Sequence, residues 1–176
     1  MKLYVARHGQ TEYNAQNRVC GITDLPLTET GLVQAGVLAQ QVKSKNIDVI
    51  IASPLIRAQQ TAKAVGKELG IEIITDSRIT EQNYGIFEGV DRKDRDFLAN
   101  KRQFAVRYPK GESMMQVAAR VYPFIDEIKQ KYPGKNVLLV CHGGVCRVIK
   151  TYFEDMTNEE YFSYSPSNAF LAGYDL

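Results

Sequence analysis

Only two histidines occur in the 176-residue chain, and both stand in the same local setting. His8 follows the apolar run Leu3-Tyr4-Val5-Ala6 and Arg7, and leads into Gly9-Gln10-Thr11. His142 follows Val137-Leu138-Leu139-Val140-Cys141 and leads into Gly143-Gly144. Each run reads as a short β-strand, so each imidazole is expected at a strand's C-terminal end, where open α/β sheets bind their ligands. Arg57, one helical turn beyond a third strand ending at Ala52, and Glu81 in a following loop are expected at the same edge.

These residue types together suit phosphoryl transfer. A phosphomonoester carries roughly −1.5 to −2 charge at neutral pH, and most of the catalytic work is positioning and neutralising that charge. Arg7 and Arg57 offer forked donors matched to phosphate oxygens. A neutral imidazole can attack phosphorus and form a phosphohistidine, and a second, protonated one adds positive charge to the transition state. A carboxylic acid protonates the departing oxygen. Gly9, Gly143 and Gly144 read either as turn residues or as places where backbone N–H groups approach an anion. Cys141 and His142 are adjacent, which is poor ligand geometry, and no second cluster completes a metal site.

The elements that must position these groups are legible from periodicity. Strands are expected at Lys2–Ala6, Val49–Ala52, Glu72–Thr75, Asn136–Cys141 and Ala169–Tyr174. Helical spacing links Leu32, Ala35, Leu38, Ala39 and Val42; then Leu55, Ala58, Ala62, Val65 and Leu69; then Met114, Val117, Ala118, Val121, Ile125 and Ile128. Ser53 is expected to cap the second helix, with Pro54 at its first position and Gly70 at its stop; Ser113 and Gln116 form a capping box for the third. Strands alternating with helices imply a mostly parallel sheet covered on both faces. The polar stretch from Glu88 to Lys110 is the least readable; pocket walls that set specificity are expected there, and its basic residues, among them Arg92, Lys93, Arg95, Lys101, Arg102 and Arg107, offer positive charge that a solvated helix face explains as well.

Composition narrows the class. Hydrophobic residues make up 44% and charged residues 24%, with a net charge of +2, too small to point to nucleic acid or an anionic membrane surface. No apolar run reaches the roughly 20 residues that span a bilayer. Met1-Lys2-Leu3-Tyr4 leads straight into a strand, so no signal peptide is expected. Three cysteines (Cys20, Cys141 and Cys146) form no disulfide framework and fit a reducing cytoplasm. Residues 1–176 read as one domain; nothing marks an oligomeric interface.

Taken in order, these segments resemble the histidine phosphatase superfamily, also called the phosphoglycerate mutase-like family. The likeness rests on Arg7-His8-Gly9-Gln10-Thr11-Glu12-Tyr13-Asn14, on Arg18 to Leu27 with Thr28-Glu29-Thr30-Gly31, and on Ser53-Pro54-Leu55-Ile56-Arg57-Ala58. It continues through Thr80-Glu81-Gln82-Asn83-Tyr84-Gly85 followed by Glu88-Gly89, then Gly111-Glu112-Ser113 and His142-Gly143-Gly144. It implies a three-layer α/β/α sandwich with a mostly parallel central sheet, no metal and no cofactor. It implies His8 as nucleophile, His142 as second pocket histidine, Arg7 and Arg57 as phosphoryl ligands, and Glu81 as general acid and then base. Asn14, Thr11, Gly21, Tyr84 and Gly143 fall at substrate- or phosphate-binding positions.

The departures concern substrate. Cys20 stands where many relatives place Gln or Thr, and Gln82-Asn83 replaces an Arg-His pair found beside the acid in many mutases. The chain also lacks several dozen residues and a paired-arginine segment of the cofactor-dependent mutases. The resemblance therefore implies a metal-independent phosphomonoesterase of the short phosphatase branch, acting on a small metabolite such as a sugar phosphate, phosphoglycerate, phosphoserine or a nucleoside phosphate. The alternatives are a phosphoglycerate mutase and, in a different class, a non-catalytic phospho-ligand binding module.

Overall fold

The computed structural model describes residues 1–176. In chain order the elements are β1 (Lys2–Arg7), α1 (Glu12–Ala15), α2 (Glu29–Val42), β2 (Val49–Ala52), α3 (Ile56–Leu69), β3 (Ile73–Thr75), α4 (Arg95–Lys101), α5 (Met114–Lys131), β4 (Val137–Cys141), α6 (Gly143–Phe153), α7 (Asn158–Ser163) and β5 (Leu171–Asp175). The five strands form one sheet in the order β3-β2-β4-β1-β5. All neighbouring pairs are parallel except β1 with β5.

Side chains alternate across this sheet, as a pleated strand requires. Leu3, Val5, Ile51, Leu139 and Cys141 point to one face, where they pack with Val121, Ile125 and Ile128 of α5 and Val145 and Ile149 of α6. Ala6, Ile50, Ala52, Leu138 and Val140 point to the other, against Leu38 and Val42 of α2 and Ala58, Ala62 and Val65 of α3. Two cores on opposite faces of one sheet make the expected three-layer sandwich. No helix is long and apolar enough to cross a membrane.

Three local expectations need correction. α3 begins at Ile56 with Leu55 as its N-cap residue, so neither Ser53 nor Pro54 plays the expected capping part; Ser53 is held by a histidine instead, as described below. Leu32 lies within α2 but is 52% exposed, and the buried stripe starts from Gly31. Gly9 does not present its amide to a ligand: its N–H donates to Thr61 Oγ1 at 3.1 Å. The Ser113–Gln116 capping box and the left-handed Gly70 stop are as expected.

Gly9 is needed for another reason. A Cβ on Gly9 would overlap the carbonyl oxygen of Gly31, and one on Gly31 would overlap that of Gln10. The two segments therefore pack backbone to backbone directly behind His8. Backbone cannot yield as a flexible side chain can, so Gly9→Ala should lower the unfolding free energy by about 1–3 kcal/mol. Urea denaturation measures this; a change under about 0.5 kcal/mol would fall within ordinary surface variation and would contradict the packing.

Candidate active site

The sheet register brings the two histidines together. β1 and β4 pair in parallel with Arg7 opposite Cys141, and the next amide, His8 N–H, donates to Cys141 O at 3.0 Å. One residue past matched strand ends, His8 and His142 must therefore be neighbours, and their ring centroids are 5.1 Å apart. β2 ends at the same level, because Ala52 pairs with Val140. The following Ser53 reaches His142, with Oγ 2.7 Å from Nε2.

His8 has its tautomer set by the backbone. Nδ1 lies 2.6 Å from Gly9 O, and a carbonyl only accepts, so Nδ1 carries the proton and Nε2 keeps its lone pair. Arg57 Nε donates to that lone pair at 3.3 Å. Burial first, then the charges of Arg57 and Arg7, push the His8 pKa well below the usual imidazole value. Burial, Arg57 and His8 do the same to His142. In the ligand-free site both rings are thus neutral near pH 7. The second imidazole, expected to be protonated, is instead held neutral by burial and the neighbouring positive charge.

Arg57 is fully buried behind His8. Its other two nitrogens donate to Thr23 O at 2.9 Å and Gly21 O at 2.5 Å. The Gly21–Thr23 loop is in turn gathered by Glu88, whose carboxylate accepts from the amides of Gly21, Ile22 and Thr23 and from the Thr23 hydroxyl. It also accepts from Tyr84 N–H. Glu88 thus ties the loop that orients Arg57 to the loop that carries Glu81, a part that sequence alone does not signal.

Glu81 is 5% exposed. Its carboxylate accepts from Gln82 N–H and from Gly144 N–H, both at 2.9 Å, the latter in the first turn of α6. A side chain at Gly144 would collide with that carboxylate. The loop behind it is held by Glu112, which accepts from Asn83 N–H, and by Arg120, which donates to Glu112 and to the carbonyls of Arg78 and Glu81.

A cavity of about 70 Å³ opens at this edge, lined by Arg7, His8, Asn14, Glu81, Tyr84 and Gly143 from the expected set, and by Cys20. This is small beside the roughly 300–1,000 Å³ of pockets for drug-sized ligands. Asn14 Oδ1 accepts from Thr11 N–H and Asn168 Nδ2, which leaves the Asn14 amide N–H groups for a ligand. Arg7 Nη1 donates to Pro166 O, while Arg7 Nε and His142 Nδ1 are buried without a protein partner. Thr11, Gly21, Arg57 and His142 stand behind the lining rather than in it. Thr11 is fully buried and caps α1.

The wall also holds Arg92, Lys101 and Arg147. Arg92 and Lys101 belong to the stretch expected to hold pocket walls, and of the two readings left open for their charges the solvated face does not apply to them. That stretch folds over the pocket: Phe97 of α4 is buried with Val19 and Tyr108, against Tyr84 and Phe87. Arg147 had a readable signal, since it sits four residues past Gly143 on one helix face. Cys141 and Cys146 are buried thiols with Sγ atoms 3.6 Å apart, and burial pushes the Cys141 thiol well up.

Paired neutral imidazoles, arginines and a buried carboxyl at the C-terminal edge of a parallel sheet form a site for phosphoryl chemistry. The profile of the histidine phosphatase superfamily (branch 1) matches residues 3–174, and the chain belongs to that family. It is 37% identical over 151 residues, covering 81% of this chain and 70% of its relative, to a probable phosphoglycerate mutase GpmB of Yersinia pestis. Among solved structures it is similar to a mycobacterial glucosyl-3-phosphoglycerate phosphatase in complex with VO3, with TM-score 0.89 and 28% identity over 98% of this chain and 91% of that one. It is also similar to phosphoserine phosphatase of Entamoeba histolytica in complex with 3-phosphoglyceric acid. There the TM-score is 0.84 and the identity 26%, over 98% and 89% of the two chains.

Because the chain holds two histidines, a ¹⁵N spectrum of the labelled imidazoles reports both rings directly. Both should be neutral at pH 6, and an added phosphate dianion should draw a proton onto the pair. An imidazolium signal at pH 7 without ligand would contradict the electrostatics described here. Stability follows the same sign. Unfolded histidines take up protons below about pH 6.5 while the folded ones do not, so their share of the folding energy is lost as pH falls.

Proposed function

We propose that the protein is a metal-independent phosphomonoesterase, residues 1–176 acting as one catalytic unit on a small phosphorylated metabolite. The observation that carries this reading is the His8 tautomer, with its proton locked to Gly9 O and its lone pair at Nε2 beside Arg57. Nε2 attacks phosphorus and the phosphorus–oxygen ester bond breaks. Protonated Glu81 gives its proton to the departing oxygen. Water then attacks the phosphohistidine, Glu81 takes the water's proton, the nitrogen–phosphorus bond breaks and phosphate leaves. Arg7, the Asn14 amide and the Gly143 N–H hold the phosphoryl oxygens, and Arg57 and His142 meet the transferring group at Nε2. Such acid–base assistance contributes about 10²–10⁴-fold.

The phosphatases among the similar structures support hydrolysis over transfer, as does the short insert between Glu81 and Ser113. The relatives named as probable mutases favour the second reading, a phosphoglycerate mutase. No three His, Cys, Asp or Glu side chains form a metal-ligating group. Buried free thiols at Cys20, Cys141 and Cys146 suit a reducing, cytoplasmic compartment.

A ³¹P NMR time course in EDTA, with 3-phosphoglycerate, a trace of 2,3-bisphosphoglycerate and, separately, phosphoserine, tests the proposal. Free phosphate should accumulate and EDTA should leave the rate unchanged. Growth of 2-phosphoglycerate with little free phosphate would make the protein a mutase. Loss of turnover in EDTA would overturn metal independence.

A further inference from the structure

The proposed chemistry gives Ser53 no part, yet this residue is fully buried and its backbone is fixed on both sides. Its amide donates to Val140 O at 3.0 Å, prolonging the β2–β4 ladder, and its carbonyl accepts from Gln59 Nε2 at 2.6 Å. The hydroxyl has two neighbours. Leu55 N–H donates to Oγ at 3.4 Å, and His142 Nε2 lies 2.7 Å away. An amide N–H only donates, so the imidazole nitrogen is the acceptor within reach of the Ser53 proton.

Two tautomers of a neutral His142 fit this short contact, and the count of unpaired groups separates them. With the proton on Nε2, that N–H donates to Oγ. The Ser53 O–H then has no acceptor and the Nδ1 lone pair has no donor, since Nδ1 is buried without a protein partner. With the proton on Nδ1, Ser53 donates to Nε2, and only the Nδ1 N–H is left unpaired. A buried polar group without a partner bears its full desolvation cost, so one such group is favoured over two. The bond made at one ring nitrogen thereby sets the proton on the other. The group left over is a donor, which an anion satisfies.

Resting on the phosphomonoesterase reading, we infer that Ser53 is a positioning residue: it fixes His142 as the Nδ1–H tautomer, so that a neutral ring offers the transferring phosphoryl group a hydrogen-bond donor. The His142 and His8 rings are 5.1 Å apart, which sets this donor's ring beside the proposed nucleophile. A ring free to choose its tautomer would present the anion with a lone pair part of the time, and a lone pair repels phosphoryl oxygens. With Ser53 in place the donor is ready before the substrate arrives, as preorganised stabilisation requires. The donor also survives protonation of the ring, because both nitrogens of an imidazolium donate; Oγ then accepts from Nε2.

The test reads ¹⁵N spectra of the ligand-free protein, with His8 as internal reference because Gly9 O holds its proton on Nδ1. In the unmodified protein both rings should carry the proton on Nδ1. In Ser53→Ala the His142 ring should shift toward the Nε2–H form while His8 stays. There kcat for a hydrolysed phosphomonoester should fall about threefold to tenfold, the worth of one hydrogen bond. Ser53→Thr keeps the hydroxyl and should restore both the tautomer and most of the rate. A proton on His142 Nε2 in the unmodified protein overturns the inference even if neither variant folds. So does a folded Ser53→Ala with its tautomers or its rate unchanged, or a folded Ser53→Thr that behaves like Ser53→Ala. The spectra need no substrate, so absence of hydrolysis in the unmodified protein overturns the phosphatase reading while the tautomer is decided separately.

Discussion

The parallel pairing of β1 with β4 governs the rest of the site. Its register sets Arg7 against Cys141, so that the next residue on each strand is an imidazole, and the ladder continues into the site through His8 N–H and Cys141 O. Both strands are buried on both faces, and the two cores that clamp them leave no slack for a slip. A one-residue shift would reverse the faces of a whole strand and separate the rings. The histidine pair is thereby fixed by the best-packed part of the molecule rather than by loops.

Burial of that pair has an electrostatic consequence. Desolvation and two flanking arginines keep both imidazoles neutral, and a neutral ring is the nucleophilic form. In the proposed mechanism the same positive surroundings hold the anionic ester against it. The helix that follows His142 adds a further link, because its first turn gives one amide to Glu81. The groups proposed as acid, nucleophile and anion-binding donors therefore share one strand-to-helix corner. Glu88 and Arg120, which touch none of the reacting atoms, brace the loops on either side.

Much of this was legible in the sequence because strand ends and helix faces leave periodic traces. His8, His142 and Arg7 are local to a strand end, and their convergence follows once the sheet is parallel, whereas Asn14 was implied only by the resemblance. Glu81 was readable from its resemblance to an acid-bearing loop rather than from any pattern of its own. Ser53 was misread because Ser-Pro before an apolar repeat looks like a helix cap, whereas its hydroxyl is taken by His142 across two strands. Arg92 and Lys101 could not be singled out, although pocket walls were expected in their stretch, because an exposed charged stretch and a pocket wall share a composition. What separates them is the burial of Phe97 against Tyr108, a contact eleven residues apart that no periodicity encodes. Glu88 belonged to the recognised acid-loop motif, but its bracing part was hidden for the same reason, since the amides it gathers at Gly21 and Ile22 lie more than sixty residues away.

The account turns on which nitrogen of which histidine takes the phosphoryl group. Rapid mixing with a hydrolysed phosphomonoester, alkaline quench, peptide mapping and ³¹P–¹⁵N NMR of the labelled protein measure this directly. The geometry predicts one phosphoryl group, on His8, bonded to Nε2, because Nδ1 is held by Gly9 O. A phosphoryl group on Nδ1 or on His142, or steady turnover with none on the protein at any time, would contradict it.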